Sequence, residues 1–376
     1  MHRLGVVHLS TVHPRDDIRI FVKQVTTLYG ALGQQVGLVV ADGKGDARPA
    51  AGPWVLDLGK LPTARSARAL AGNWRALRLL LRLRPAVVHF HDPELLLLGM
   101  VLRLLGYRVV YDVHEDVPRQ TMGKDWIPYV LRWPVARAIA AMEWLAGRTF
   151  AAIVPATPVI GARFPSARTV LVQNFPIQAE LFAPQAVAYG QRPLVFAYVG
   201  GIADIRGGAE MVAAMDLLSD RPGVRLELAG AISPDAFATR LQRLPGWQRA
   251  VHHGQINRAE VATLLGRARA GLVLFHPLPN HVDAQPNKMF EYMSAGLPVV
   301  ASDFPLWRQI VAGAGCGLLV DPLDPSAIAD ALRWVVDHPI EAEAMGQRGR
   351  DAVQHTYNWE RESAQLLSLY SRLLAP

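Results

Sequence analysis

Gln285-Pro286-Asn287-Lys288-Met289-Phe290-Glu291-Tyr292-Met293-Ser294-Ala295-Gly296-Leu297-Pro298-Val299-Val300-Ala301 reads as a helix that runs into a short buried strand. Asn287 is expected at the N-cap and Gly296 just past the helix end. A lysine in the first helical turn is unusual, because the positive end of the macrodipole repels it by roughly a few tenths of a kcal/mol. It makes sense where an anion gathers both the ammonium and the free N–H groups of the turn. Glu291, one turn further in, is placed to accept hydrogen bonds from a diol. A phosphate joined to ribose offers both partners.

The helix–strand unit repeats outward from this stretch in both directions. Strand-like, Val-rich runs are expected at Gly5–Leu9, Val36–Ala41, Val87–Phe90, Arg108–Val113, Ala151–Val154 and Val170–Val172. A second set falls at Leu194–Val199, Arg225–Ala229, Gly271–Phe275, Pro298–Ala301 and Leu318–Val320, with helical periodicity between the strands of each set. Short apolar runs joined by helices mean strands buried on both faces, in a parallel doubly wound sheet. The pattern occurs twice, so the expected fold class is α/β with two Rossmann-like domains facing across a cleft. Their spans are 1–180 and 190–358. The aperiodic segment Asn174–Arg192 separates them, and a last helix over 359–376 is expected to pack back on the first domain.

The 376 residues are 51% hydrophobic and 19% charged, which excludes a disordered chain. The lone Cys316 excludes an internal disulfide and a cysteine-rich metal site. With no signal-like apolar start and no run of about 18 uncharged apolar residues, the expected location is cytoplasmic. Residues 1–180 carry 22 Lys and Arg against 13 Asp and Glu, and the remainder carries 17 against 19. A basic front half suggests an anionic partner. Trp126, Trp133 and Trp144 interleave with Arg132, Arg137 and Arg148, and Trp74 lies among Arg65, Arg68, Arg75, Arg78, Arg82 and Arg84. That pattern suits a peripheral position on the inner membrane surface. Without an RNA-binding signature, nucleic acid is not an expected partner.

Four motifs in order carry a resemblance over nearly the whole chain. They are Ser10-Thr11-Val12-His13-Pro14-Arg15-Asp16-Asp17-Ile18-Arg19-Ile20-Phe21, His91-Asp92-Pro93-Glu94-Leu95-Leu96, Tyr111-Asp112-Val113-His114-Glu115-Asp116, and Pro286 to Ala301. The chain resembles family 4 retaining glycosyltransferases of the GT-B fold, in their bacterial exopolysaccharide and capsule branch. The resemblance implies sugar transfer from a UDP- or GDP-linked donor to a glycan acceptor, such as a polyprenyl-diphosphate-linked oligosaccharide. It implies no cofactor and no metal.

By the same resemblance Glu291 binds the donor ribose. Asp283, eight residues earlier, stands for the first carboxylate of the family's Glu-x7-Glu pair and touches the transferred sugar. The family's arginine and lysine on the diphosphate fall at Gly201 and Arg206, so one cation is missing from that loop, and Lys288 is the expected replacement. Gly200, Gly201, Asn287 and Met289 complete the expected donor contacts. His114 is expected beside the transferred sugar, with Asp283, Arg206 and Lys288 as the other catalytic residues. His13, His91 and Glu115 are expected at the acceptor. His89 and His91 alternate on one strand face, but the sequence shows no third ligand for a metal. Two other readings stay open: a nucleotide-hexosamine 2-epimerase, which needs further acid–base carboxylates, and a non-catalytic nucleotide-binding scaffold, motivated by Gly201.

Overall fold

The computed structural model describes residues 4–124, 126–177 and 187–375. The chain forms two compact units, Met1–Asn174 with Trp359–Pro376, and Phe175–Asn358. Residues 178–186 of the expected boundary segment lie outside the described residues.

The first unit is built on β1 (Val6–Leu9), β2 (Val36–Val40), β3 (Trp54–Asp57), β4 (Val87–Phe90), β5 (Arg108–Val113) and β6 (Ala152–Pro155). Their order in the sheet is β3-β2-β1-β4-β5-β6, and all pairs are parallel. The second unit carries β7 (Val195–Val199), β8 (Arg225–Ala229), β9 (Ala250–Gly254), β10 (Ala270–Val273), β11 (Val299–Ser302) and β12 (Gly317–Val320), in the order β12-β11-β10-β7-β8-β9. Each sheet is therefore the doubly wound six-stranded arrangement, with its order reversing between β1 and β4 and between β7 and β10. Ligands of such sheets bind beyond the carboxyl ends of the strands at that reversal.

The central strands are buried along their whole length, which is why they read as continuous apolar runs. Two edge strands escape that signal. β3 is only half buried at its ends, and β9, Ala250-Val251-His252-His253-Gly254, is exposed in its middle. Val170–Val172 is not a strand. It runs beside β6 through Val170 N–H to Ile153 O (2.9 Å) and Val172 N–H to Pro155 O (3.1 Å).

Three local features position side chains. Ile18–Val25 is wound as a π-helix, and Arg19, Lys23 and Gln24 on it are buried. Asn287 is not a cap. The helix runs Asn287–Ser294 with Pro286 as its N-cap, and no side chain closes the turn. Proline has no side-chain acceptor, so no cap closes the Asn287 and Lys288 N–H groups of the first turn. The helix Trp359–Leu374 lies with the first unit, tied by Trp359 Nε1–H to Thr27 Oγ1 (2.9 Å) and by Gln173 N–H to Glu362 Oε2 (2.7 Å).

Candidate functional site

In the second unit the carboxyl end of β7 leads into Gly200, whose φ of +109° requires glycine. A Cβ there would stand 3.1 Å from the Lys288 Nζ. Gly207, at φ +73°, is equally fixed, since a Cβ would fall 2.1 Å from Leu274 O. Tyr292 locks the strand end by accepting from Val199 N–H at 2.8 Å.

Lys288 projects into this turn. It is only 9% exposed, and among the described residues its Nζ has no hydrogen-bond partner. The Nζ lies 3.6 Å from the Tyr198 ring centroid and 5.6 Å from that of Phe275. Burial, and then the charge of Arg206, hold its pKa well below the ordinary lysine value, against the pull of Glu291. A cation–π contact steadies an ammonium but satisfies none of its three N–H groups. Arg206 reaches back to donate to Gly201 O at 3.3 Å. Gly201 has an ordinary φ, and a Cβ there would meet only the Arg206 side chain, at 3.1 Å. Two cations thus border a glycine turn at a strand end, the setting in which a phosphate is held.

Glu291 is already engaged: Arg258, first residue of the helix Arg258–Arg267, donates to its Oε1 at 2.8 Å. Asp283 caps the short helix Pro279–Val282. The expected role of Met289 does not fit. Its side chain is fully buried in the core and its N–H donates to Pro286 O at 3.0 Å, because this face of the helix packs on β10 and β11. The sequence reading also missed the pair of His276 and Glu210, whose Nε2 and Oε1 are 3.0 Å apart.

In the first unit the loop after β1 folds onto Asp92, which follows β4. Asp92 accepts from Thr11 N–H at 2.5 Å and from the Ser10 hydroxyl at 3.0 Å. His13 sits between Asp92 Oδ1 (3.5 Å) and Asp17 Oδ2 (3.4 Å), and its ring stands edge-on to His114 at 5.0 Å. His114 Nδ1 is 3.4 Å from Asp112 Oδ1. Asp112, wholly buried, also accepts from Arg19 Nε–H at 3.0 Å and Gln24 Nε2–H at 2.5 Å. Burial alone would raise the Asp112 pKa, but the Arg19 charge and then the His114 hydrogen bond hold it well below the usual carboxylate range. Glu115 is exposed beside His114.

His91 does not reach an acceptor surface. It is 1% exposed, and its Nε2 lies 3.0 Å from His8 Nδ1, because the ring turns back toward β1, where Tyr370 of the last helix stacks on His8. His8, His89 and His91 offer ring nitrogens within 4.8 Å of one another, so a third imidazole does exist. Their planes are nonetheless only 20° to 41° apart, with centroids 4.5 to 5.2 Å apart. Stacked rings direct their in-plane lone pairs side by side and not at one ion. Tyr370 Oη instead meets His89 Nδ1 at 2.9 Å. Burial, the largest cause in each case, lowers the pKa of all three, His89 to about 4.

His13 gives a pH prediction. Its pKa is raised, first by the hydrogen bond to Asp17, then by the charge of Asp92, while burial opposes. Its stabilisation is therefore complete below the ordinary value of about 6.5 and is lost as pH rises through the folded value. Urea midpoints from about pH 6 to 9 should fall for the parent relative to His13→Asn. Parallel curves would leave His13 outside the loop's electrostatics.

The comparisons with known proteins agree with this geometry. The family model for glycosyl transferases group 1 matches residues 182–352, and that for glycosyltransferase family 4 matches residues 19–164. The chain is similar to an MMP alpha-(1->4)-mannosyltransferase of Mycolicibacterium hassiacum, with 24% identity over 80% of this chain and 74% of that one. Among solved structures, sucrose-phosphate synthase from Thermosynechococcus elongatus superposes with a TM-score of 0.79 at 18% identity, covering 98% of both chains. HepE from Anabaena, solved in complex with UDP-glucose, gives 0.72 at 13% identity over 98% of this chain and 99% of that one. The fold is GT-B. Each unit thus matches a glycosyltransferase family model, and the solved structures share the fold of the chain.

Proposed function

We propose that this protein moves a sugar from a UDP- or GDP-linked donor to a lipid-linked glycan, with retention at the anomeric carbon, in bacterial surface polysaccharide synthesis. The buried Lys288 amine, unpaired beside Gly200, carries the reading: such a group is costly unless a ligand anion completes it. Lys288, Arg206 and the open helix turn at Asn287 take the diphosphate, Glu291 takes the ribose, and Asp283 takes the sugar. As the bond from the anomeric carbon to the diphosphate oxygen breaks, the two cations stabilise the leaving charge. The acceptor oxygen bonds to the same face, and its proton passes to the leaving phosphate. That route needs no protein nucleophile. With two cations on the diphosphate it needs no metal, so a chelator should leave turnover unchanged. His114, set by Asp112, faces the sugar, and His13 and Glu115 serve the acceptor.

No helix among the described residues is long and apolar enough to cross a membrane. The lipid-linked acceptor is instead met at the inner membrane surface. Exposed Trp74, Trp126, Trp133 and Trp144, each under an arginine, support this: Arg65 lies 3.9 Å from the Trp126 ring and Arg148 3.8 Å from that of Trp144.

UDP or GDP at about 100 times its Kd should add about 2.7 kcal/mol to unfolding. Glu291→Ala should lose most of that gain. Equal stabilisation of variant and parent would remove Glu291 from the donor site.

A further inference from the structure

At the amino-terminal edge of the first sheet, opposite His13, Asp92 and His114, lies a pocket of 280 Å³. The residues that begin β5 and precede β6 line it, with the ends of the helices Leu96–Leu104 and Tyr129–Thr149. Its charged lining is Arg103, Arg108 and Arg168, and among the described residues no Asp or Glu lines it. Among the described residues none of these arginines forms an ion pair, whereas Arg15, Arg19, Arg68 and Arg163 of the same unit each face a carboxylate.

Each fork is held by one backbone carbonyl. Arg103 Nε–H donates to Thr149 O at 2.8 Å, Arg168 Nη1–H to Phe150 O at 2.6 Å, and Arg108 Nη1–H to Leu373 O at 2.6 Å. Capping of carbonyls at a helix end explains the direction of all three, since Leu373 lies in the last turn of the helix Trp359–Leu374. It does not explain why three such arginines converge on one hollow. A guanidinium has five N–H donors, so at each of these exposed arginines most remain available. Next to these residues in the chain, Val101, Leu104 and Leu105 are exposed, Leu104 at 88%.

We infer that this pocket binds a phosphate group through Arg103, Arg108 and Arg168. It is a second anion site, far along the strands from the His114 edge and independent of the donor. Planar forks match phosphate oxygens in pairs. The group is either a free phosphate or the headgroup of an anionic lipid whose chains meet Leu104 and Leu105.

Amide hydrogen exchange on the full chain tests this at the site itself. One arm adds inorganic phosphate, a second adds phosphatidylcholine vesicles with phosphatidylglycerol, and a third adds phosphatidylcholine alone. Protection of residues 103–108 and 149–151 by phosphate identifies a soluble ligand, and protection by the anionic vesicles only identifies a headgroup. In both cases Arg103→Gln/Arg108→Gln/Arg168→Gln should weaken binding at least tenfold. Glutamine keeps a donor for each carbonyl, and a urea melt checks the fold. If the triple variant is unstable, Arg108→Gln alone should weaken binding several-fold. No protection in the first two arms, equal protection by neutral vesicles, or protection unchanged in the variants would overturn the site.

Discussion

Lys288→Met is expected to lower turnover about ten- to a hundred-fold while the ligand-free protein resists urea better than the parent. The two effects have one origin. The amine is buried to 9% exposure, unpaired, and 3.6 Å from the Tyr198 ring. In the absence of a diphosphate its burial is a cost, and methionine fills the same volume without a charge. Its folded pKa is depressed by burial first. The unfolded chain therefore holds the proton more readily, and parent stability should rise with pH up to the ordinary lysine value of about 10.4. That rise should be absent from Lys288→Met. With donor bound the sign reverses, because a charge-assisted contact of about 1.5–3 kcal/mol is lost. Since a Cβ at Gly201 meets only the movable Arg206 side chain, Gly201→Arg in the Lys288→Met background should restore part of the activity. Normal turnover, or a large loss of ligand-free stability, would make Lys288 a structural residue.

The largest stability effect is expected at Arg19. Arg19→Met should destabilise the first unit by about 3–5 kcal/mol, because it strips the cation from a wholly buried carboxylate. Asp112→Asn in the same chain should recover much of the loss, since a neutral amide needs no counter-charge. The pH dependence follows from the depressed Asp112 pKa. The stability Asp112 contributes is present above the ordinary carboxylate value of about 3.9 and is lost as pH falls through the folded value. The gap between Arg19→Met and parent should therefore narrow below about pH 4. A cost under about 1 kcal/mol, the size of a surface ion pair, would mean that water reaches Asp112.

The architecture was legible because all but the edge strands of both sheets are buried on both faces, which writes itself as uninterrupted Val, Leu and Ala. β3 and β9 were not: the ends of β3 are only half buried, and β9 keeps a polar, solvated middle in Ala250-Val251-His252-His253-Gly254. The turn proposed to hold the diphosphate stood out for a different reason: Lys288 and the glycines at 200 and 207 break local preferences, and such breaks cluster where ligands bind. What no spacing shows is the partner of a side chain across the sheet. His8 pairs in register with His89 although 81 positions separate them in sequence. Arg258 reaches Glu291 from another helix. His91 looked like an acceptor residue because its motif ends a strand, yet it is buried against His8, 83 residues earlier in sequence.

Calorimetric titration of UDP and GDP into the parent and into Lys288→Met tests the central claim most directly. The claim predicts saturable one-site binding of at least one nucleotide by the parent, and binding at least tenfold weaker in the variant. Failure of both nucleotides to bind the folded parent, or equal affinity in the two proteins, would contradict it.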